Sequence, residues 1–151
     1  MIEIRNLTKT KIDAKLLHKI AEAIFRKARS KRPSPLTEGL GLSVVFVGPK
    51  RAQELNTIYR KETYVPSVLS FEYGPPPFRR RGSLASPSRE RSGSLWGGEI
   101  VLCPAKIRKD ARTYGIVFEQ ELERIFRHGL LHLLGYSHKR MQKFEIPNFR
   151  L

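Results

Sequence analysis

The run from Arg127 to His138, RHGLLHLLGYSH, is the feature that most constrains the fold, and it holds three of the chain's four histidines. His128 and His132 are four residues apart, so on a helix they share one face with their Cβ atoms roughly 5–6 Å apart. Gly135 can adopt the left-handed conformation that ends a helix. The turn after it is expected to bring His138 back toward the other two histidines. The run therefore predicts a buried helix, held by its leucines, with three imidazoles gathered at its end.

Three imidazole nitrogens at one point suit a single zinc ion with a fourth position left open. The spacing H-x-x-x-H-x-x-G-x-x-H also occurs in the metzincin peptidases. Those enzymes need a glutamate directly after the first histidine as the general base, and this chain has Gly129 there. The run therefore predicts a metal centre on His128, His132 and His138, but not the centre of a peptidase.

Charge gives the broad class of partner. The chain of 151 residues has 29 Lys and Arg against 14 Asp and Glu, a formal net charge of +15. Such an excess favours a polyanion, and nucleic acid is the leading candidate. The alternative is a solvated basic surface without a specific partner.

Cysteine content and hydropathy bear on location. The single cysteine, Cys103, excludes an internal disulfide and a Cys-rich zinc ribbon, and we expect it to be buried. No apolar run approaches the roughly 20 residues that span a bilayer, and the N-terminal residues lack the apolar region of a secretory signal. We therefore expect a cytoplasmic protein without membrane contact.

Apolar patterning predicts an α+β fold, with one small, mixed, four-stranded sheet packed with helices and the zinc site at the end of a core helix. The strands are expected at Ile2–Ile4, Leu42–Val47, Val68–Phe71 and Glu99–Cys103. The helices are expected at 14–28 after an Asp13 cap, at 51–60 with Ala52, Leu55 and Ile58 as apolar face, at 104–114, and at 118–134.

The length fits one domain over residues 1–151, with a flexible insertion at about 74–97 that is rich in Pro, Gly, Ser and Arg. This insertion is either an RNA-contacting arm or a solubilising loop. The first reading rests on clustered arginines and nearby aromatic residues, which are Arg79, Arg80, Arg81, Arg89, Arg91, Phe78 and Trp96.

The histidine run HGLLHLLGYSH resembles the H-G-x-L-H-L-x-G-Y-D-H signature of the YbeY-type endoribonucleases, the rRNA maturation factors. Three upstream segments are similar to family motifs in the same order. They are Leu55–Arg60 (L-N-x-x-Y-R), Val68–Phe71 (V-L-S-F) and Gly98–Leu102 (G-D-I-V-I).

The resemblance implies a zinc-dependent, single-strand-specific endoribonuclease that acts in 16S-type rRNA 3′-end processing and in ribosome quality control. It implies one Zn²⁺ per chain on His128, His132 and His138, with a catalytic role for these residues and for Arg60. Arg60 would also contact RNA, because a fixed guanidinium can clamp phosphate. The implied partners are rRNA or a ribosomal subunit, with ribosomal proteins or an assembly GTPase as further candidates.

The chain departs from the family pattern at two positions where the family has aspartate, because it carries Ser67 and Ser137 instead. A carboxylate orients an imidazole or accepts a proton better than a hydroxyl does. This difference motivates an alternative function, a ribosome-assembly or RNA-binding factor with a structural zinc ion and weak or absent catalysis. Ser70, in the matched strand, is expected to face the site.

Overall fold

The four strands and the first four helices follow the order expected from the sequence, and a short fifth helix follows them. The computed structural model describes residues 2–31, 41–73 and 97–143. The strands are β1 (Ile2–Asn6), β2 (Gly41–Phe46), β3 (Val68–Tyr73) and β4 (Gly97–Leu102). The helices are α1 (Ala14–Lys31), α2 (Pro49–Arg60), α3 (Pro104–Tyr114), α4 (Phe118–Leu133) and α5 (His138–Gln142).

The four strands form one mixed sheet in the order β1-β2-β4-β3. β1, β2 and β4 run parallel, and β3 pairs antiparallel with β4 at the edge. A parallel pair needs a crossover, which α1 supplies between β1 and β2. Asp13 caps α1 as expected, because its Oδ1 accepts a hydrogen bond from the Leu16 amide at 3.1 Å. The predicted α+β class with a four-stranded mixed sheet is confirmed.

The two faces of the sheet support separate cores, because successive side chains on a strand point to opposite sides. One face packs on α1 and α4 through buried residues that include Val44, Ile100, Leu102, Ile24 and Phe126. The other face packs on α2 through Leu69, Phe71, Val101, Cys103 and Ala52. α4 is therefore held between the sheet and its neighbouring helices.

α4 lies unusually close to the sheet at two glycines. A Cβ atom on Gly129 would lie 3.1 Å from Val68 Cγ2 and 3.2 Å from Ser70 Oγ. At Gly98, a Cβ atom would lie 2.8 Å from Leu133 Cδ1. Ser70 Oγ also donates a hydrogen bond to the Gly129 carbonyl at 3.3 Å. The missing side chains allow the helix to pack against β3 and β4 at this distance.

The predicted apolar face of α2 was wrong at one residue. Ile58 is 63% exposed, whereas Asn56 is fully buried. The Asn56 side chain donates to the Tyr64 carbonyl at 3.0 Å, so it fastens the loop that follows the helix. A polar residue occupies this core position because it satisfies a backbone group of that loop.

The predicted insertion lies largely outside the described residues. Of the insertion at about 74–97, the structure describes only Gly97, which begins β4. Arg79, Arg80 and Arg81 therefore lie outside the described residues, as do residues 144–151. Within the part of the chain that the structure describes, no helix is long and apolar enough to cross a membrane.

We predict that Gly129→Ala destabilises the protein by about 1–2 kcal/mol, because overpacking between α4 and β3 costs about 1–3 kcal/mol and exceeds the gain of up to about 1 kcal/mol that alanine brings to a helix interior. Urea unfolding measures this change. The matched control is Gly41→Ala, since a Cβ atom there has no other atom of the described residues within 4 Å. Equal stabilities of the two variants would contradict the predicted contact.

Candidate metal centre

Three histidine rings meet at the C-terminal end of α4. His128 and His132 lie on α4, and His138 is the first residue of α5. Their ring centroids are separated by 4.5 Å (His128–His132), 5.4 Å (His128–His138) and 5.0 Å (His132–His138). The Nε2 atoms of His128 and His132 are 3.0 Å apart. One ligand nitrogen from each ring lies within 4.8 Å of the other two.

The turn between α4 and α5 brings the third ring into place. Gly135 adopts a positive φ of 89°, the conformation predicted for it. The amides of Gly135 and Tyr136 donate to the His132 and Leu131 carbonyls, at 3.0 and 2.9 Å, and close the end of α4. Ser137 then caps α5, because its Oγ accepts from the Arg140 amide at 3.3 Å. Ser137 therefore provides the cap from which His138 begins its helix, a bond that aspartate can also make.

The spacing of the nitrogens suits one metal ion. Zinc binds imidazole nitrogen at about 2.0–2.1 Å, so tetrahedral ligand nitrogens lie about 3.3–3.4 Å apart. The separations observed here, 3.0 Å for one pair and at most 4.8 Å for any pair, bracket that value. Small side-chain rotations would bring all three nitrogens to one ion, so the three histidines could hold a metal.

Burial and neighbouring charge keep two of these rings neutral. Desolvation lowers the pKa of His128 to about 4, and the nearby imidazoles of His132 and His138 act in the same direction. The pKa of His132 is also lowered, first by burial. A neutral imidazole is the form that binds a metal, so protons compete weakly for His128 at neutral pH.

Arg60 acts on the same centre from α2. Its charge contributes to the lowered pKa values of both His128 and His132. α2 ends at Arg60 because Lys61 turns left-handed, with φ 57° and ψ 33°. Tyr59 packs edge-on against Phe71 of the edge strand β3, with ring centroids 5.2 Å apart. This contact places the end of α2 beside that strand, so the Arg60 charge can reach the histidines.

The residue after the first histidine points away from the centre. The nearest atoms to a Cβ at Gly129 belong to Val68, Ser70 and Ile100, which are sheet residues. A carboxylate at this position would meet the sheet before it reached a substrate at the histidines. The packing thus supports the sequence argument against a peptidase centre.

Cys103 is buried, as predicted from the sequence, and is 1% exposed. It belongs to the core on the α2 face of the sheet, opposite to α4. Burial raises the pKa of its thiol. It is not part of the histidine cluster found among the described residues.

Of two further residues near the centre, Ser70 was predicted from the sequence and Arg124 was not. Ser70 was expected to face the site, and its hydroxyl donates to the Gly129 carbonyl, next to His128 in the chain. Arg124 was not singled out, although it precedes His128 by four residues and lowers the pKa of that ring. The sequence held a signal for Arg124, because it lies four residues before His128 on the predicted helix and so shares its face.

A four-stranded mixed sheet with three histidines at the end of a packed helix defines a small α+β protein with a candidate metal centre. The family described as Endoribonuclease YbeY matches residues 3–147, and the chain belongs to this family. The chain is 42% identical over 98 residues to Endoribonuclease YbeY of Thermodesulfovibrio yellowstonii, covering 65% of this chain and 54% of that protein. It is 31% identical over 140 residues to Endoribonuclease YbeY of Sulfurovum sp., covering 92% and 79%.

The fold has a match among solved structures. The solution structure of TM1509 from Thermotoga maritima superposes with a TM-score of 0.53 at 25% identity, covering 95% of this chain and 83% of that one. The chain spans about half the length of the first curated relatives that it matches, 54% and 53% of them.

We predict that the metal-free protein loses stability as the pH falls from about 6.5 to about 4. The pKa of His128 is about 4 in the folded protein against an ordinary 6.5, so the unfolded chain binds the extra proton first. The free energy of unfolding should therefore depend less steeply on pH in His128→Gln over this interval. Urea unfolding with a chelator, at several pH values, compares the two proteins. Parallel curves would contradict the buried, neutral state of His128.

Proposed function

We propose that this chain is a zinc-dependent, single-strand-specific endoribonuclease that acts in rRNA maturation, including 16S-type 3′-end processing, and in ribosome quality control. The observation that carries the proposal is the convergence of three histidine nitrogens within 4.8 Å of one another, with the charge of Arg60 reaching two of the rings. Membership of a family described as Endoribonuclease YbeY supports the reaction class. RNA is then the substrate, in agreement with the net charge of +15.

In this proposal His128, His132 and His138 hold one Zn²⁺. The ion would supply a Lewis acid at the scissile phosphate. The residues of the chain position the ion and stabilise charge. The three imidazoles fix the position of the ion, and Ser137 fixes His138 through the cap of α5. Arg60 places a permanent positive charge beside the phosphate and stabilises the extra negative charge of the transition state. The attacking group is water or the RNA 2′-hydroxyl.

We also propose partners and a location for the protein. rRNA or a ribosomal subunit is the proposed target, with ribosomal proteins or an assembly GTPase as further partners. Arg79, Arg80 and Arg81 are proposed to extend the RNA contact from the insertion. One domain over residues 1–151 and a cytoplasmic location complete the proposal, and a single cysteine in 151 residues agrees with a reducing compartment.

A second function is favoured by the two serines. Ser67 and Ser137 stand where the family has aspartate, and the Ser137 hydroxyl accepts a backbone hydrogen bond as a helix cap. A hydroxyl in that position is a weak proton acceptor. The second candidate is therefore a ribosome-assembly or RNA-binding factor in which the zinc ion is structural and catalysis is weak or absent.

We predict that His132→Ala loses cleavage of an rRNA 3′-end fragment by more than about 100-fold, because even the outer partners of metal ligands contribute about 10–100-fold. The same variant should lose bound zinc, measured by metal analysis. His18→Ala is the matched control, since His18 is the one histidine outside the cluster and lies on α1. It should cleave like the wild type.

Circular dichroism establishes that the two histidine variants are folded. Cleavage by His132→Ala at the wild-type rate would indicate a contaminating nuclease and would remove the evidence for catalysis. If the wild-type protein binds RNA and zinc but does not cut, the assembly-factor function is supported instead.

We predict that Arg60→Ala lowers kcat by about 10²–10³-fold, as expected for the loss of a charge that stabilises the transition state. Zinc content should not change, because Arg60 is not among the clustered histidines. Lys50→Ala, an exposed cation at the other end of α2, is the control and should retain kcat. An equal loss in both variants would mean that Arg60 contributes only general surface charge.

A further inference from the structure

An exposed aromatic ring lies beside a fixed guanidinium at the turn between α3 and α4. Tyr114, the last residue of α3, is 60% exposed. The Arg124 guanidinium carbon lies 5.4 Å from the centroid of the Tyr114 ring. A large aromatic side chain left this open is available for stacking, and single-stranded nucleic acids bind to such rings next to basic groups.

A buried carboxylate fixes the position of Arg124. Glu121 is fully buried, and its two oxygens accept hydrogen bonds from Arg124 Nε at 3.0 Å and Nη2 at 2.5 Å. Within the described residues, Nη1 of Arg124 has no hydrogen bond of its own, and the side chain remains 49% exposed. The guanidinium is thus held by one edge and presents the other to solvent, an arrangement suited to phosphate.

The pair continues the candidate metal centre along α4. Arg124 precedes His128 by four residues, so the two share one face and are separated by about 6 Å along the helix axis. The Arg124 charge is among those that lower the pKa of His128, in agreement with this proximity. A strand that reaches the histidines can therefore pass over Arg124 and Tyr114 in turn.

We propose that Tyr114 and Arg124 form a second nucleotide subsite beside the metal centre, in which the ring stacks on an RNA base and the guanidinium contacts a phosphate of the same strand. This inference rests on the proposed function, because it takes a single-stranded RNA as the ligand. Binding here would set the direction in which the strand leaves the centre.

The charge of the surrounding surface favours RNA over a protein partner. α3 as a whole carries the exposed cations Arg108, Lys109 and Arg112. Its acid Asp110, which also acts on Arg124, is paired with Lys106 at 2.8 Å. The exposed apolar residues Ile116 and Val117 follow Tyr114 in the chain and are the feature that a protein partner would use. RNA is the better match because α3 is basic and because Arg124 shares a face of α4 with His128.

The test measures binding of a fluorescent single-stranded RNA of about eight nucleotides to the zinc-loaded protein across a salt series. A 2′-O-methyl strand is used, and a gel after each measurement establishes that it is intact. Tyr114→Leu should weaken binding by about 5-fold or more, and Tyr114→Phe should restore it, because stacking needs the ring and not the hydroxyl.

The contribution of Arg124 is measured by the salt dependence of binding. Arg124→Gln should reduce the slope of log affinity against log salt by about 0.7, the value for one phosphate contact on a single strand. Tyr114→Leu should leave that slope unchanged. Arg26→Gln removes an exposed cation from α1 and should alter neither slope nor affinity appreciably. Circular dichroism establishes that each variant is folded.

Wild-type affinity in Tyr114→Leu, or equal weakening in Tyr114→Leu and Tyr114→Phe, would overturn the subsite. An Arg124→Gln variant whose slope of log affinity against log salt equals that of the wild type would also overturn the subsite. If cleavage that depends on His132 persists in those cases, the proposed function stands, and the surface is free to serve a protein partner. If the subsite variants weaken binding but the wild type never cuts RNA, the subsite stands and the endoribonuclease function fails.

Discussion

The close contact between α4 and β3 is the constraint on which the rest of the site depends. Gly129 leaves room for Val68 and Ser70 at 3.1 and 3.2 Å from where its Cβ would lie, and Ser70 Oγ bonds the Gly129 carbonyl. This close approach favours the rotation of α4 that turns Gly129 toward β3. That rotation turns His128 and His132 outward while their leucine neighbours fill the core. The geometry of the centre is therefore a consequence of sheet packing.

Electrostatics adds a second layer to the same arrangement. Arg60 and Arg124 lie close enough to lower the pKa of His128, so they also disfavour a divalent ion at the rings. The same lowered pKa also has a favourable effect, because a neutral ring carries no proton that would compete with the ion. In the proposed function, an RNA phosphate would offset this unfavourable charge, because both arginines and the bound ion would attract it. Cations around a bound metal ion would thus favour an anionic ligand.

Much of the centre could be predicted because its rules are local. The spacing of His128 and His132 and the left-handed turn at Gly135 depend only on helix periodicity and on the freedom of glycine. The face of α2 could not be predicted in this way. Ile58 fits the apolar period, but Asn56 takes the core position because it bonds a loop eight residues away. Tertiary hydrogen bonding overrode the hydrophobic pattern there.

The contacts that support the centre join residues distant in sequence, and no local rule connects them. Ser70 and Gly129 are 59 residues apart, and only the pairing of β3 at the sheet edge brings them together. Ser137 illustrates the opposite case. Serine stands here in place of the family's aspartate, and the sequence alone suggested a weaker site. The Ser137 hydroxyl nevertheless caps α5, so the helix still begins at His138. The two tasks that a carboxylate could perform there, capping the helix at His138 and accepting a proton, are therefore separable, and this chain retains the first.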